Sequence, residues 1–232
     1  MNQYELFPFL TKLEENWKDV LEELDSLLYT EAEASVSLFE AWHEKDIYEG
    51  DWDVYGLYEF GRRIPINCDR CPKTTALVES IPGMVTAGFS ALAPGTHIKP
   101  HVGYTNEVLR CHLGLVVPKP LPSYDRRSTG PLVSDTCGLV VGEQFFHWEP
   151  GKAFVFDDTI THEAYNYGDR TRFVLLIDFK KEAPQPESDD TESPDKPTKG
   201  LLGGLSSTTA DSFQLPFLSG RRIRDKLRKS FK

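Results

Sequence analysis

The chain has 232 residues, 39% of them hydrophobic and 27% charged, which is enough apolar content to bury a core. Its formal net charge of −10 excludes a wholly basic, nucleic-acid-binding surface. No window approaches the roughly 18 consecutive apolar residues of a spanning helix, the N-terminus lacks secretory-signal features, and four Cys are too few for a disulfide scaffold. The expected location is therefore cytoplasmic.

The first stretch reads as helix. Leu13, Trp17, Leu21, Leu24 and Leu28 recur at helical spacing and line one face. EAEASVSLFEAWHEK is expected to add a second helix, and Pro72 to Pro82 a short one bracketed by prolines. Within the helical part, His43 is expected to be solvated. The CDRC pair Cys68 and Cys71 has no partner pair; zinc would need two more ligands.

From Met84 the texture changes. MVTAGFSAL, LRCHLGLVV, CGLVV, AFVFDD, HEAYNYGD and RFVLLIDF alternate with turn residues. About eight short strands at this spacing predict an antiparallel sandwich or barrel. There is no Gly-rich nucleotide fingerprint and no Walker A pattern.

Five of the six His fall in this β-rich part: His97, His101, His112, His147 and His162. Period 2 puts Arg110, His112 and Gly114 on one face of LRCHLGLVV. It puts Arg172, Val174 and Leu176 on one face of the last strand. A buried Arg on an apolar strand needs an anionic partner. Two such Arg near a pair of His suit a small dicarboxylate over a metal, since guanidinium binds carboxylate bidentately. Pro100 argues against helical chelation by His97 and His101. His147 and Trp148 are expected to pack at a strand end, and Arg62 and Arg63 to lie at the surface. For Asp157 and Asp158, a turn role and a carboxylate orienting a metal-binding His are both open.

GTHIKPHVGYTNEVLRCHLGLVVP and EPGKAFVFDDTITHEAYNYGDRTRFVLLIDF resemble the aspartyl/asparaginyl β-hydroxylase family, together with GDWDVYGLYEFGRR, CPKTTALVESIP and SALAPG upstream. The likeness runs from about Asn16 to Phe179. It implies a mainly β protein with N-terminal helices: a double-stranded β-helix, or jelly roll, that uses Fe(II), 2-oxoglutarate as co-substrate and O₂. It implies iron ligation by His101, in PHVG, and His162, in THEAY. Gly103 stands where most non-haem iron oxygenases carry the acid of a 2-His-1-carboxylate triad; the resembled hydroxylases also have Gly there, with water filling the position. Arg110 and His112 match residues that hold the 1-carboxylate of 2-oxoglutarate. Arg172 matches the partner of the 5-carboxylate, and Ser90 a hydroxyl that assists it.

The expected organisation is a helical support region over 1–82 and a jelly-roll catalytic core over 83–181. A disordered linker follows over 182–212, rich in Pro, Ser, Thr, Asp and Gly. The tail, 213–232, is basic: from Ser219 onward it has seven Arg or Lys against one Asp. Ile223, Leu227 and Phe231 recur within it, a pattern suited to weak contact with an anionic membrane surface or a protein. The resemblance implies hydroxylation of an aspartyl or asparaginyl residue, or a related protein, peptide or small-molecule acceptor, with no nucleic acid partner. The alternatives are an acyl-chain lipid hydroxylase brought to membranes by the tail, and a non-catalytic jelly-roll binding module. The loop from Pro118 to Pro131 is a candidate for acceptor selection.

Overall fold

The computed structural model describes residues 2–119 and 136–181. The expected linker, the basic tail and most of the Pro118–Pro131 loop lie outside the described residues. In chain order the elements are α1 (Gln3–Leu6), α2 (Phe9–Glu15), α3 (Trp17–Ala34), β1 (Glu40–Ala41), β2 (Tyr48–Glu49), β3 (Trp52–Glu59), β4 (Arg62–Arg63), α4 (Pro65–Arg70) and α5 (Pro72–Glu79). Then come β5 (Met84–Leu92), β6 (Thr96–His101), β7 (Val108–Val116), β8 (Cys137–Val141), β9 (Gln144–Phe146), β10 (Ala153–Phe156), β11 (His162–Asn166) and β12 (Arg172–Lys180). None of the described helices is long and apolar enough to cross a membrane.

The strands form two antiparallel sheets. The larger has the order β1-β3-β5-β12-β7-β10, with β4 on β3, and the smaller β2-β6-β11-β8-β9. This is the jelly roll expected, with eight strands from β5 to β12. The region before residue 83 is more than helical support, because β3 pairs with β5 from Trp52↔Leu92 to Tyr58↔Ala87.

The large sheet is buried on both faces. On β12, Phe173, Leu175, Ile177 and Phe179 pack toward the helices, in one core with Leu13, Val20, Leu24 and Val78. Val174 belongs to a second core between the sheets, with Leu92, Ile98, Leu139, Trp148 and Phe156. Each fully buried aliphatic side chain contributes about 1.5–3 kcal/mol. Cys68, Cys71 and Cys111 lie in the helix-side core. Burial pushes the Cys71 thiol up to about 12, so CDRC acts as apolar packing.

The helices differ from the sequence reading in two places. The leucine stripe is split at Asn16, whose side chain donates to Lys12 O at 2.8 Å. After the break, α2 packs on β10 and α3 on β7 and α5. The second expected helix does not form. Ser35 is left-handed at φ 51°, and the Glu31 carboxylate accepts the backbone N–H groups of Leu38 and Phe39. The chain then turns into β1, and Trp42 stacks on Trp52 with centroids 4.7 Å apart.

Two long-range caps anchor the helices. Glu23 of α3 accepts from Lys73 N and Thr74 N at 2.8 Å each and from Thr74 Oγ1 at 2.6 Å, capping α5, which has no side-chain cap of its own. Gln3 pairs with both backbone groups of Val155, at 3.1 and 3.2 Å, and Glu14 accepts from Ala153 N at 3.0 Å. These contacts cover the free edge of β10, which unpaired strands otherwise present to other chains.

β6 was not legible as a strand, because it contains Pro100. The neighbour β2 reaches only His97 and Ile98. On the other side, the pairing with β11 shifts register between His162 and Ala164. Pro100 sits in that irregular stretch, where a missing N–H is tolerated.

Candidate active site

The inner face of the large sheet and the adjoining end of the small sheet carry the polar residues. His101 ends β6 and His162 begins β11, and the two are direct cross-strand partners. Their ring centroids are 4.2 Å apart. Each imidazole donates from Nδ1 to the carbonyl two residues earlier, His101 to Lys99 at 2.8 Å and His162 to Ile160 at 3.0 Å. Both rings are thereby held in the tautomer that leaves Nε2 as a lone pair, as metal ligation requires. Burial pulls the His162 pKa down to about 4, with His101 and Arg110 adding repulsion. Among the described residues no group of three His, Cys, Asp or Glu side chains is poised to hold a metal.

Gly103 explains part of that arrangement. Its N–H donates to Asp158 O at 2.7 Å. A Cβ at position 103 would overlap the Asp158 carboxylate. Asp158 is 2% exposed, its Oδ1 has no hydrogen-bond partner among the described residues, and its Oδ2 lies 3.3 Å from Arg110. Burial raises its pKa. Asp157 differs: it accepts from Thr159 N at 3.0 Å and from Lys181 Nζ at 2.8 Å, a turn at the surface. The structure separates two neighbouring acids that the sequence left equivalent.

Arg110 and His112 project from β7 as the alternation predicts. Asp178 on β12, directly across from Arg110, accepts from its Nε at 2.7 Å and its NH2 at 2.9 Å. The two carboxylates, Asp178 foremost, hold the guanidinium firmly protonated against its burial. His112 is 6% exposed and packs against Phe154 and Phe156. Burial, Arg172 and Arg110 push its pKa well below the usual histidine range, so the ring is neutral. Its Nδ1 accepts from Trp148 Nε1 at 3.2 Å, and its Nε2 is buried without a partner among the described residues.

Arg172 heads β12 at 1% exposure, among the largest fully buried side chains. Among the described residues its Nε has no hydrogen-bond partner, and its Cζ lies 4.5 Å from the Trp148 ring centroid. Burial lowers its pKa to about 10. Ser90 shares the face, one strand away opposite Val174, and accepts from Trp52 Nε1 at 3.0 Å.

The structure therefore brings Ser90, His101, Arg110, His112, His162 and Arg172 onto one inner surface. It leaves out His97, paired with Glu163 at 2.7 Å, and His147, packed on Phe145. Arg62 and Arg63 stay at the surface with acidic neighbours. The sequence reading missed Trp52, Trp148 and Asp178. Asp178 had a signal, since it shares the parity of Arg172 on one strand. Trp148 had none, because it lies outside any strand.

The family model described as aspartyl/asparaginyl β-hydroxylase matches residues 14–182. An ornithine lipid ester-linked acyl 2-hydroxylase from Rhizobium tropici is 36% identical over 181 residues, 78% of this chain and 60% of that protein. Human aspartyl/asparaginyl β-hydroxylase is 32% identical over 173 residues, 72% of this chain and 20% of that protein. Human aspartate β-hydroxylase domain-containing protein 2 is 33% identical over 176 residues, 72% of this chain and 43% of that protein. The chain thus spans a fifth to three fifths of the length of these relatives. With a family match over most of its length, the chain belongs to the aspartyl/asparaginyl β-hydroxylase family.

Proposed function

We propose that this chain is an Fe(II)- and 2-oxoglutarate-dependent hydroxylase. One observation carries the reading: His112 Nε2, Asp158 Oδ1 and Arg172 Nε are buried without partners among the described residues, on the surface that holds the two tautomer-locked imidazoles. Leaving such groups unpaired costs about 1–3 kcal/mol each; a dicarboxylate would accept from the two nitrogens, and a metal beside it would supply positive charge for the Asp158 oxygen.

The donor set fits the group. His101 and His162 would hold the iron through Nε2, since neutral imidazole suits Fe(II). Arg172, with the Ser90 hydroxyl, would take the 5-carboxylate. Arg110 and His112 would take the 1-carboxylate. Asp158 adds a buried acceptor beside the imidazoles, in the space a side chain at 103 would fill. Bound iron supplies the redox chemistry that couples oxidative decarboxylation of 2-oxoglutarate by O₂ to hydroxylation of a C–H bond. The protein binds, orients and keeps bulk water from the buried face.

The acceptor on this reading is an aspartyl or asparaginyl residue, or a related protein, peptide or small-molecule acceptor. A second reading, hydroxylation of a lipid acyl chain, rests on the 36% identity to the ornithine lipid hydroxylase. Exposed Val102, Tyr104 and Ile160, on the loops next to the two His, would suit an apolar acceptor. Purified chain with Fe(II), 2-oxoglutarate and O₂ should form succinate, and His101→Ala should not. Mass spectrometry of peptide and ornithine-lipid acceptors, looking for a gain of one oxygen, separates the two readings. Binding of Fe(II) and 2-oxoglutarate without succinate from any acceptor would point to a non-catalytic module.

A further inference from the structure

Trp148 follows β9 in an irregular segment, yet it is 4% exposed and reaches the inner face of the large sheet. The reason lies on β7. Gly114 shares a face with Arg110 and His112, and a Cβ there would overlap the Glu149 carbonyl. Its bare backbone exchanges hydrogen bonds with the segment: Gly114 N donates to Lys152 O and Gly151 N donates to Gly114 O, both at 2.9 Å. The segment is thus drawn against the strand, and the indole is set between His112 and Arg172.

Those two residues are not neighbours. His112 pairs with Leu176, four residues along β12 from Arg172. At about 3.3 Å per residue, that places the two backbones roughly 13 Å apart. The indole touches both side chains. Its N–H meets His112 Nδ1 at 3.2 Å, and its ring carries the Arg172 guanidinium at 4.5 Å. An indole N–H can only donate. Nδ1 must therefore accept, and the proton of the neutral ring must sit on Nε2, the buried atom without a partner.

We infer that Trp148 is a positioning residue that organises both ends of the dicarboxylate site. Its N–H fixes His112 as the Nε2–H tautomer, a donor aimed at the near carboxylate, and its ring face holds the Arg172 guanidinium for the far one. The ligand half of this inference rests on the proposed 2-oxoglutarate site; the tautomer half rests on Trp148 and His112 alone.

Two measurements on the full chain test it. The first is long-range ¹H–¹⁵N NMR of histidine-labelled protein, metal-free and loaded with diamagnetic Zn(II). His112 should show a protonated Nε2 and an unprotonated Nδ1, and in Trp148→Phe it should move toward a tautomer mixture. A protonated Nδ1 in the wild type, or an unchanged His112 in the variant, would overturn the inference. The second is a KM-against-kcat comparison. Trp148→Phe keeps a ring under Arg172 and loses the donor, so KM for 2-oxoglutarate should rise about tenfold with kcat nearly kept. Trp148→Leu loses both contacts and should raise KM further. Unchanged KM in both folded variants would overturn the inference and leave the proposed function standing. Failure of the wild type to bind 2-oxoglutarate, with the Nε2–H tautomer present, would instead overturn the co-substrate reading and the ligand half with it.

Discussion

The carboxylate of Asp158 occupies the space that a side chain on Gly103 would need. The two segments are tied by the Gly103 N–H to Asp158 carbonyl bond at 2.7 Å. The acid missing from position 103 is thus matched by one arriving from the other His-bearing loop. Gly103→Ala should cost about 1–3 kcal/mol through overpacking. In an Asp158→Ala background the same change should cost at least about 1 kcal/mol less. Urea denaturation of the four proteins gives the coupling directly.

Arg110 depends on Asp178. Asp178→Ala leaves a largely buried guanidinium with the 3.3 Å contact to Asp158 as its remaining ion pair among the described residues. Breaking one side of such a pair costs about 3 kcal/mol. Denaturation should show that loss, and KM for 2-oxoglutarate should rise as Arg110 moves.

Arg172 makes the opposite case. It is a buried cation with no carboxylate partner among the described residues, so its place is a burden on the folded chain. Arg172→Met should keep stability or raise it by about 1 kcal/mol. 2-Oxoglutarate affinity should fall roughly a hundredfold. Thermal denaturation and titration calorimetry on the same variant check both signs.

Acid should loosen the site. His162 is held neutral, with its pKa near 4 when folded against 6.5 as the ordinary value. Between those values the unfolded chain binds the extra proton, so stability is full above pH 6.5 and falls toward pH 4. The loss attributable to this one ring is up to about 3 kcal/mol. His162→Gln should flatten the slope of unfolding free energy over that window in metal-free protein.

The α5 cap offers a test far from the site. Glu23→Ala strands the N–H groups of Lys73 and Thr74 and the Thr74 hydroxyl. A loss of about 2 kcal/mol is expected, with KM for 2-oxoglutarate unchanged.

Much of the site was legible because β-strands alternate strictly. Arg110 with His112 and Arg172 with Val174 were placed on the correct faces by parity alone, and the Pro72-initiated helix by its punctuation. The parts that were not legible depend on contacts distant in sequence. Glu31 folds the chain back at Leu38, so the second helix expected there does not form. Pro100 hides a strand because its tolerance comes from the short partner β2. Trp148 reaches the site through a glycine on another strand, which local pattern does not encode.

β12 is read twice. One set of positions gives the helix-side core its Phe173, Leu175 and Ile177; the alternate set gives the site Arg172 and Asp178. Inserting or deleting a single residue in this strand would exchange the two sets, sending Arg toward the hydrophobic core and Phe toward the inner polar face. Length variation is therefore closed to this segment. Changes in length are better accommodated in the connections around the barrel, while the central strand accepts only substitutions that respect its parity.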